Sequence, residues 1–138
     1  MDTVLALDVG TKRIGIARGN TRACIANPLI TITRKSVKKD VQKLIEICKR
    51  EQAIAVVVGL AFLEDGSEGR SARLARPIGE GLAEEMDLQI HYHDESYSSV
   101  EAARRMRKLG KSHKKQKTKI DEIAAAVILE DWFLEQSF

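Results

Sequence analysis

The chain has 138 residues, the size of one domain, with 43% hydrophobic and only 4% aromatic residues, so its core must be built from Val, Ile, Leu and Ala. Two isolated cysteines, Cys24 and Cys48, exclude a disulfide framework, and no apolar stretch approaches the roughly 20 residues that cross a bilayer. The net charge of +3 hides an asymmetry: nine Lys/Arg and no acid lie between Arg104 and Lys119, and removing those nine leaves −6. Met1-Asp2-Thr3 lacks the basic start and apolar run of a signal peptide, so the expected setting is cytoplasmic, without a membrane partner.

Val4-Leu5-Ala6-Leu7 is an apolar run ending in Asp8 before the turn-former Gly10, the pattern of a buried strand with a carboxylate at its C-terminal end. Arg13 to Arg18 alternates with period two, Gly19-Asn20 marks a turn, and Leu29 to Thr33 alternates again. These three strands predict an antiparallel meander. Ser36 can cap a helix in which Val37, Val41, Leu44, Ile45 and Cys48 fall at helical spacing. Ala53 to Leu60, with Val56-Val57-Val58, is a β-branched run suited to a strand buried on both faces.

Residues 64–70 read as a polar loop, and Ser71 to Met86 as helical, with a break or a new first turn expected at Pro77. Leu88 to His93 is a further strand ending at Asp94-Glu95. Ser98 and Glu101 form a capping box for a helix to about Leu109, with Gly110 as its C-terminal cap. A basic loop follows, and a last, well-buried helix is expected from Ile120 onward. The order βββαβαβαα is an α/β arrangement: a mixed five-stranded sheet, three antiparallel strands and then two parallel ones, flanked by helices in a single domain spanning 1–138.

Three acids stand out by placement. Asp8 and Glu95 each follow an apolar strand, and Asp121 opens an apolar helix. Carboxylates beside an apolar core are costly unless they meet cations or hydrogen-bond donors. Adjacent parallel strands would bring Asp8 and Glu95 together at the C-terminal edge of the sheet, where open sheets place their sites. Hard oxygen ligands suit Mg²⁺ or Mn²⁺, and two such ions about 4 Å apart serve phosphodiester hydrolysis. Each acid also has a plainer reading: Asp8 capping the Gly10 turn, Asp94 and Glu95 as loop acids, and Asp121 and Glu122 favoured in a helix's first turn by its dipole.

The text around each acid narrows the choice. Leu7-Asp8-Val9-Gly10-Thr11-Lys12-Arg13-Ile14-Gly15-Ile16-Ala17, then Val57-Val58-Gly59-Leu60 with Asp65-Gly66-Ser67-Glu68-Gly69, follow one another in order. Asp94-Glu95 with Ser98-Ser99-Val100-Glu101-Ala102, and finally residues 120–129, complete a series spanning nearly the whole chain. Together they resemble the YqgF family of RuvC-like nucleases. The resemblance implies a ribonuclease H-like fold, with Asp8, Glu95 and Asp121 at the family's catalytic, metal-holding positions. It also implies action at the 5′ end of the precursor of the small-subunit ribosomal RNA, with ribosomal association. The likeness to Holliday-junction resolvases gives an alternative, cleavage of branched DNA, and a non-catalytic RNA-binding protein is a third reading. The chain departs from the family pattern at Ser96, where Arg is usual, at Ala61, where Pro is usual, and at Tyr97, where an aliphatic residue is common. These departures bear on substrate handling more than on metal binding.

Nucleic-acid contacts are expected from Lys12 and Arg13 after the first acid, and from Arg104, Arg105, Lys108, Lys111, Lys114, Lys115 and Lys117 in the basic segment. For Lys12 plain solvation is an equal alternative, as it is for the basic block. Gly59 reads either as room for substrate backbone or as a tight turn. His91 and His93 share a strand face without a third ligand and read as sheet-surface residues, and Trp132 and Phe133 as core or interface. A monomer or weak homodimer is expected.

Overall fold

The computed structural model describes residues 2–60, 69–94 and 113–136. Strands β1 (Thr3–Val9), β2 (Arg13–Asn20) and β3 (Ile25–Thr33) form the meander, followed by α1 (Val37–Glu51), β4 (Ala53–Leu60), α2 (Arg70–Glu85), β5 (Gln89–Asp94) and α3 (His113–Glu135). The sheet order is β3-β2-β1-β4-β5, antiparallel among the first three and parallel for β1–β4 and β4–β5. The expected helix from Ser98 to Leu109 lies outside the described residues.

Period-two alternation divides the strands' side chains between two layers. Leu5, Leu7 and Val9 of β1, Ile14 and Ile16 of β2, and Val56, Val58 and Leu60 of β4 face α1 and α2. Val4, Ala6, Ala17, Ala55 and Val57 face α3, meeting Ala125, Ile128, Leu129, Trp132 and Phe133. The α3 side is lined by small residues, so the helix lies close to the sheet. Ser36 caps α1, its hydroxyl accepting from the Lys39 N–H at 3.2 Å.

Three expectations are corrected. Pro77 neither breaks nor restarts its helix, because α2 runs unbroken through it. A proline inside a helix costs about 3 kcal/mol, and here Ala72, Ala75, Ile78 and Leu82, all fully buried, hold the helix against the sheet regardless. Residues 113–119 are helical rather than part of a basic loop, which puts Lys114, Lys115 and Lys117 in the first turns of α3. Lys and Gln are good helix formers, and the buried run that follows supports their propagation. Finally, β1 and β5 are not adjacent, since β4 lies between them.

Gly15 sets the depth of α3. A Cβ built there would fall inside the Asp121 carbonyl group and 2.7 Å from the Glu122 nitrogen, so the helix backbone rests directly on β2. Gly15→Ala is therefore expected to cost at least about 3 kcal/mol, read as a lowered urea midpoint; an unchanged midpoint would mean that the helix sits elsewhere. The thiols give a second test. Burial pushes Cys48 from the usual 9.0 up to about 11, whereas Cys24 is exposed. A raised folded-state value means that Cys48 contributes stability below pH 9 and loses it as pH climbs toward 11. At pH 8 one thiol should react with a disulfide reagent in the native chain and two in denaturant; two fast native thiols would contradict this burial.

Candidate active site

The three parallel strands end at one edge of the sheet. Leu7 of β1 pairs with Val58, Val58 with Tyr92, and Leu60 with Asp94. Asp8 therefore lies level with Gly59 and His93, on the face that β1 turns toward α3. Gly59 is a paired strand residue, opposite His93, and not a turn. On the α3 face it presents no side chain between Asp8 and β5. The strand axes of β1 and β5 are consequently about 10 Å apart, wider than the adjacency expected from sequence. Glu95 follows Asp94 directly in sequence and lies outside the described residues, as do Arg104, Arg105, Lys108 and Lys111.

Asp8, Gly15 and Thr31 form one cross-strand row over β1, β2 and β3. The backbone of α3 crosses this row at Gly15, placing Asp121 and Glu122 above it. Asp8 and the Asp121 backbone, more than a hundred residues apart in the chain, thus both adjoin the same glycine. Neither Asp121 nor Glu122 is in the helix's first turn, so the dipole, which acts only within that turn, does not account for them.

Each has a cation. The Arg13 guanidinium donates from Nε to Asp121 Oδ2 at 2.5 Å, both side chains being partly exposed. Glu122, 3% exposed, accepts from Lys119 Nζ at 2.7 Å and from the Thr31 hydroxyl at 3.2 Å. Glu122 therefore anchors α3 to β3, while Asp121 points to the Arg13 side of the same row. Arg13 is engaged with an acid in addition to any phosphate contact, and Lys12 is exposed on the β1–β2 turn.

A second network, which sequence reasoning missed, fixes that turn. Asp40, buried in the first turn of α1, accepts from Arg34 Nε at 3.0 Å and from the Lys35 N–H at 3.0 Å. Arg34 Nη1 donates to the Gly10 carbonyl at 3.1 Å, the Arg34 N–H donates to Lys12 O at 2.9 Å, and Gly10 N–H donates to Arg13 O at 2.8 Å. The turn two residues after Asp8 is thereby tied to α1. Nothing in the local sequence separates Arg34 and Asp40 from ordinary surface charges, because their pairing is tertiary. His93 is not a sheet-surface residue but is buried, its Nδ1 lying 3.3 Å from Glu135, and His91 lies 5.1 Å from the Trp132 ring. Trp132 and Phe133 are core residues, as expected.

The donor chemistry suits a hard divalent cation: the acids at this edge are carboxylates, His93 is engaged by Glu135, and Asp121 already attracts one cation in Arg13. Among the described residues no group of three or more potential ligands is assembled.

Comparison with known proteins places this arrangement. Residues 2–135 match the family model described as RuvX, Holliday junction resolvase. A protein of Dechloromonas aromatica named "Putative pre-16S rRNA nuclease" is 39% identical over 133 residues, covering 96% of this chain and 91% of that one. A protein of the same name from Fusobacterium nucleatum is 40% identical over 134 residues, covering 96% of each. Among solved structures, Thermus thermophilus RuvC in complex with a Holliday junction substrate superposes with a TM-score of 0.56 at 20% identity, covering 96% of this chain and 94% of that one. Fowlpox virus Holliday junction resolvase gives 0.57 at 12% identity, covering 97% and 99%. The fold is thus that of the RuvC-like, ribonuclease H-like nucleases. The chain belongs to the RuvX (YqgF) family and is an enzyme of the nuclease class.

No helix of the described residues is long and apolar enough to cross a membrane. Arg34 and Asp40 are both largely buried, so Asp40→Ala leaves an uncompensated guanidinium and is expected to cost about 3 kcal/mol, measured by urea unfolding. A change below about 0.5 kcal/mol, the scale of a surface pair, would contradict the tether.

Proposed function

We propose that this chain is a divalent-metal-dependent nuclease that hydrolyses phosphodiester bonds in the precursor of 16S ribosomal RNA, with Asp8, Glu95 and Asp121 holding the ions. The observation that supports the reading is that Asp8 and the Asp121 backbone both adjoin Gly15, on the sheet whose strand β5 ends at Asp94, the residue before Glu95 in the sequence. Carboxylates brought together beside an apolar core would repel one another unless a cation joined them. The names of the relatives from Dechloromonas aromatica and Fusobacterium nucleatum support the RNA substrate.

When bound, Mg²⁺ or Mn²⁺ supplies Lewis acidity to the hydrolysis. The chain's own residues do the rest. Asp8, at the end of a central strand, is a rigid ligand, and Asp121 is held by the Gly15 contact and oriented by Arg13. Lys12 presents a cation to a neighbouring phosphate from a turn that Arg34 fixes. The basic segment, including Arg104, Arg105, Lys108, Lys111, Lys114, Lys115 and Lys117, attracts the polyanion and gives binding that weakens steeply with salt. Gly59 leaves room on the α3 face between Asp8 and β5 for substrate backbone.

The test offers an end-labelled precursor ribosomal RNA fragment and a four-way DNA junction to wild type and Asp8→Asn, with Mg²⁺, Mn²⁺ or chelator. Metal-dependent RNA cleavage is expected, reduced at least about 100-fold in the variant, or roughly 3 kcal/mol of barrier. Junction cleavage with the same dependence would instead assign the branched-DNA activity in the family's description. Equal cleavage by the variant, or none of either substrate, would overturn the catalytic assignment.

A further inference from the structure

The outer face of α1 carries charge that the catalytic edge does not use. Between β3 and α1 runs an open groove of about 640 Å³, lined by Ile32, Thr33, Lys35, Lys39, Asp40, Gln42, Lys43 and Glu46. Lys35, Lys39 and Lys43 are exposed along it at four-residue intervals. Four residues of helix rise about 6 Å, so Lys39 and Lys43 stand on one face, one turn apart. Among the described residues neither the Lys35 nor the Lys39 ammonium has an acid partner. Lys43 meets Glu46 at 3.6 Å with both side chains exposed, a pair worth at most about 1 kcal/mol and readily exchanged. Asp40, the other acid of the groove, is neutralised by Arg34.

Position gives the groove its meaning. Its inner wall is Asp40, and the Arg34 that Asp40 holds is bonded to the Gly10 and Lys12 carbonyls of the turn after Asp8. The row of lysines therefore begins at the Lys12 turn and leads away from the acidic edge along α1, on the side of the sheet opposite α3 and its basic first turns. A row of exposed ammonium groups in an open groove, with no aromatic side chain among its lining residues, fits a phosphodiester backbone and not base recognition.

We propose that Lys35, Lys39 and Lys43 form a phosphate track that carries the polynucleotide strand away from the active-site turn, so that the substrate crosses the edge of the sheet from the α3 side to the α1 side. This rests on the nuclease reading for its ligand, but binding tests it separately from cleavage.

The measurement is fluorescence anisotropy of a labelled single-stranded RNA of about 24 nucleotides, and of DNA of the same sequence, in chelator across a salt series. The proteins are wild type, Lys35→Glu/Lys39→Glu/Lys43→Glu, the corresponding triple Gln variant, and Lys49→Glu as a charge change in the last turn of α1. The triple Glu variant is expected to bind at least about 10-fold more weakly. Its log–log salt slope should fall by about 2, near 0.7 for each phosphate left without its lysine on a single strand. The Gln variant should show the same loss of slope, and decides the matter if the Glu variant proves unfolded by circular dichroism. Lys49→Glu should leave the slope unchanged. A loss on either polymer supports the track, and the polymer with the larger loss identifies the strand it carries. Wild-type affinity and slope in the triple variants on both polymers would overturn the track while leaving the nuclease reading intact. Failure of wild type itself to bind either polymer would overturn the track, whereas the nuclease reading falls only with the cleavage test.

Discussion

The contact of the α3 backbone with Gly15 is the constraint on which the site depends. A side chain at that position would hold the helix away from β2, and Asp121 and Glu122 would lose their place over the row formed by Asp8, Gly15 and Thr31. With glycine there, Glu122 reaches Thr31 and Lys119 on one side of the row, while Asp121 meets Arg13 on the other. A buried carboxylate with charged and hydroxyl donors is tolerated where a lone one is not. One acid thus serves as an anchor, and its neighbour is the one proposed as a ligand.

The sheet's two faces divide the remaining labour. On one face α1 and α2 bury Leu, Ile and Val in the larger core. On the other, alanines and valines let α3 lie close, and its carboxylates come down at the edge where the parallel strands end. The Asp40–Arg34 pair links the two sides, because it belongs to α1 yet fixes the turn that follows Asp8. Breaking it would free a turn whose geometry matters to the site, not only a surface loop.

Much of this was legible in the sequence, for identifiable reasons. Period-two alternation and β-branched runs located the five strands, because a strand's burial is written in its own residues. Asp8 stood out because an acid at the end of an apolar strand is costly. What the sequence did not show is tertiary. That Pro77 is carried through α2 depends on the packing of Ala72, Ala75, Ile78 and Leu82. That α3 begins at His113 depends on a helix already held by its buried half. The interposition of β4 between β1 and β5 is a matter of topology, which local pattern does not encode. Glu122, Thr31, Arg34 and Asp40 look like surface residues until partners distant in sequence or fold are supplied, and the burial of His93 follows only from α3 lying over β5.

The cation site proposed above joins acids at opposite ends of the chain through the Gly15 contact. Anomalous diffraction from crystals soaked in Mn²⁺ would locate the ion. A manganese peak is expected within about 2.5 Å of carboxylate oxygens from both Asp8 and Asp121. Manganese bound elsewhere, or held by one of these acids with the other turned away, would contradict it.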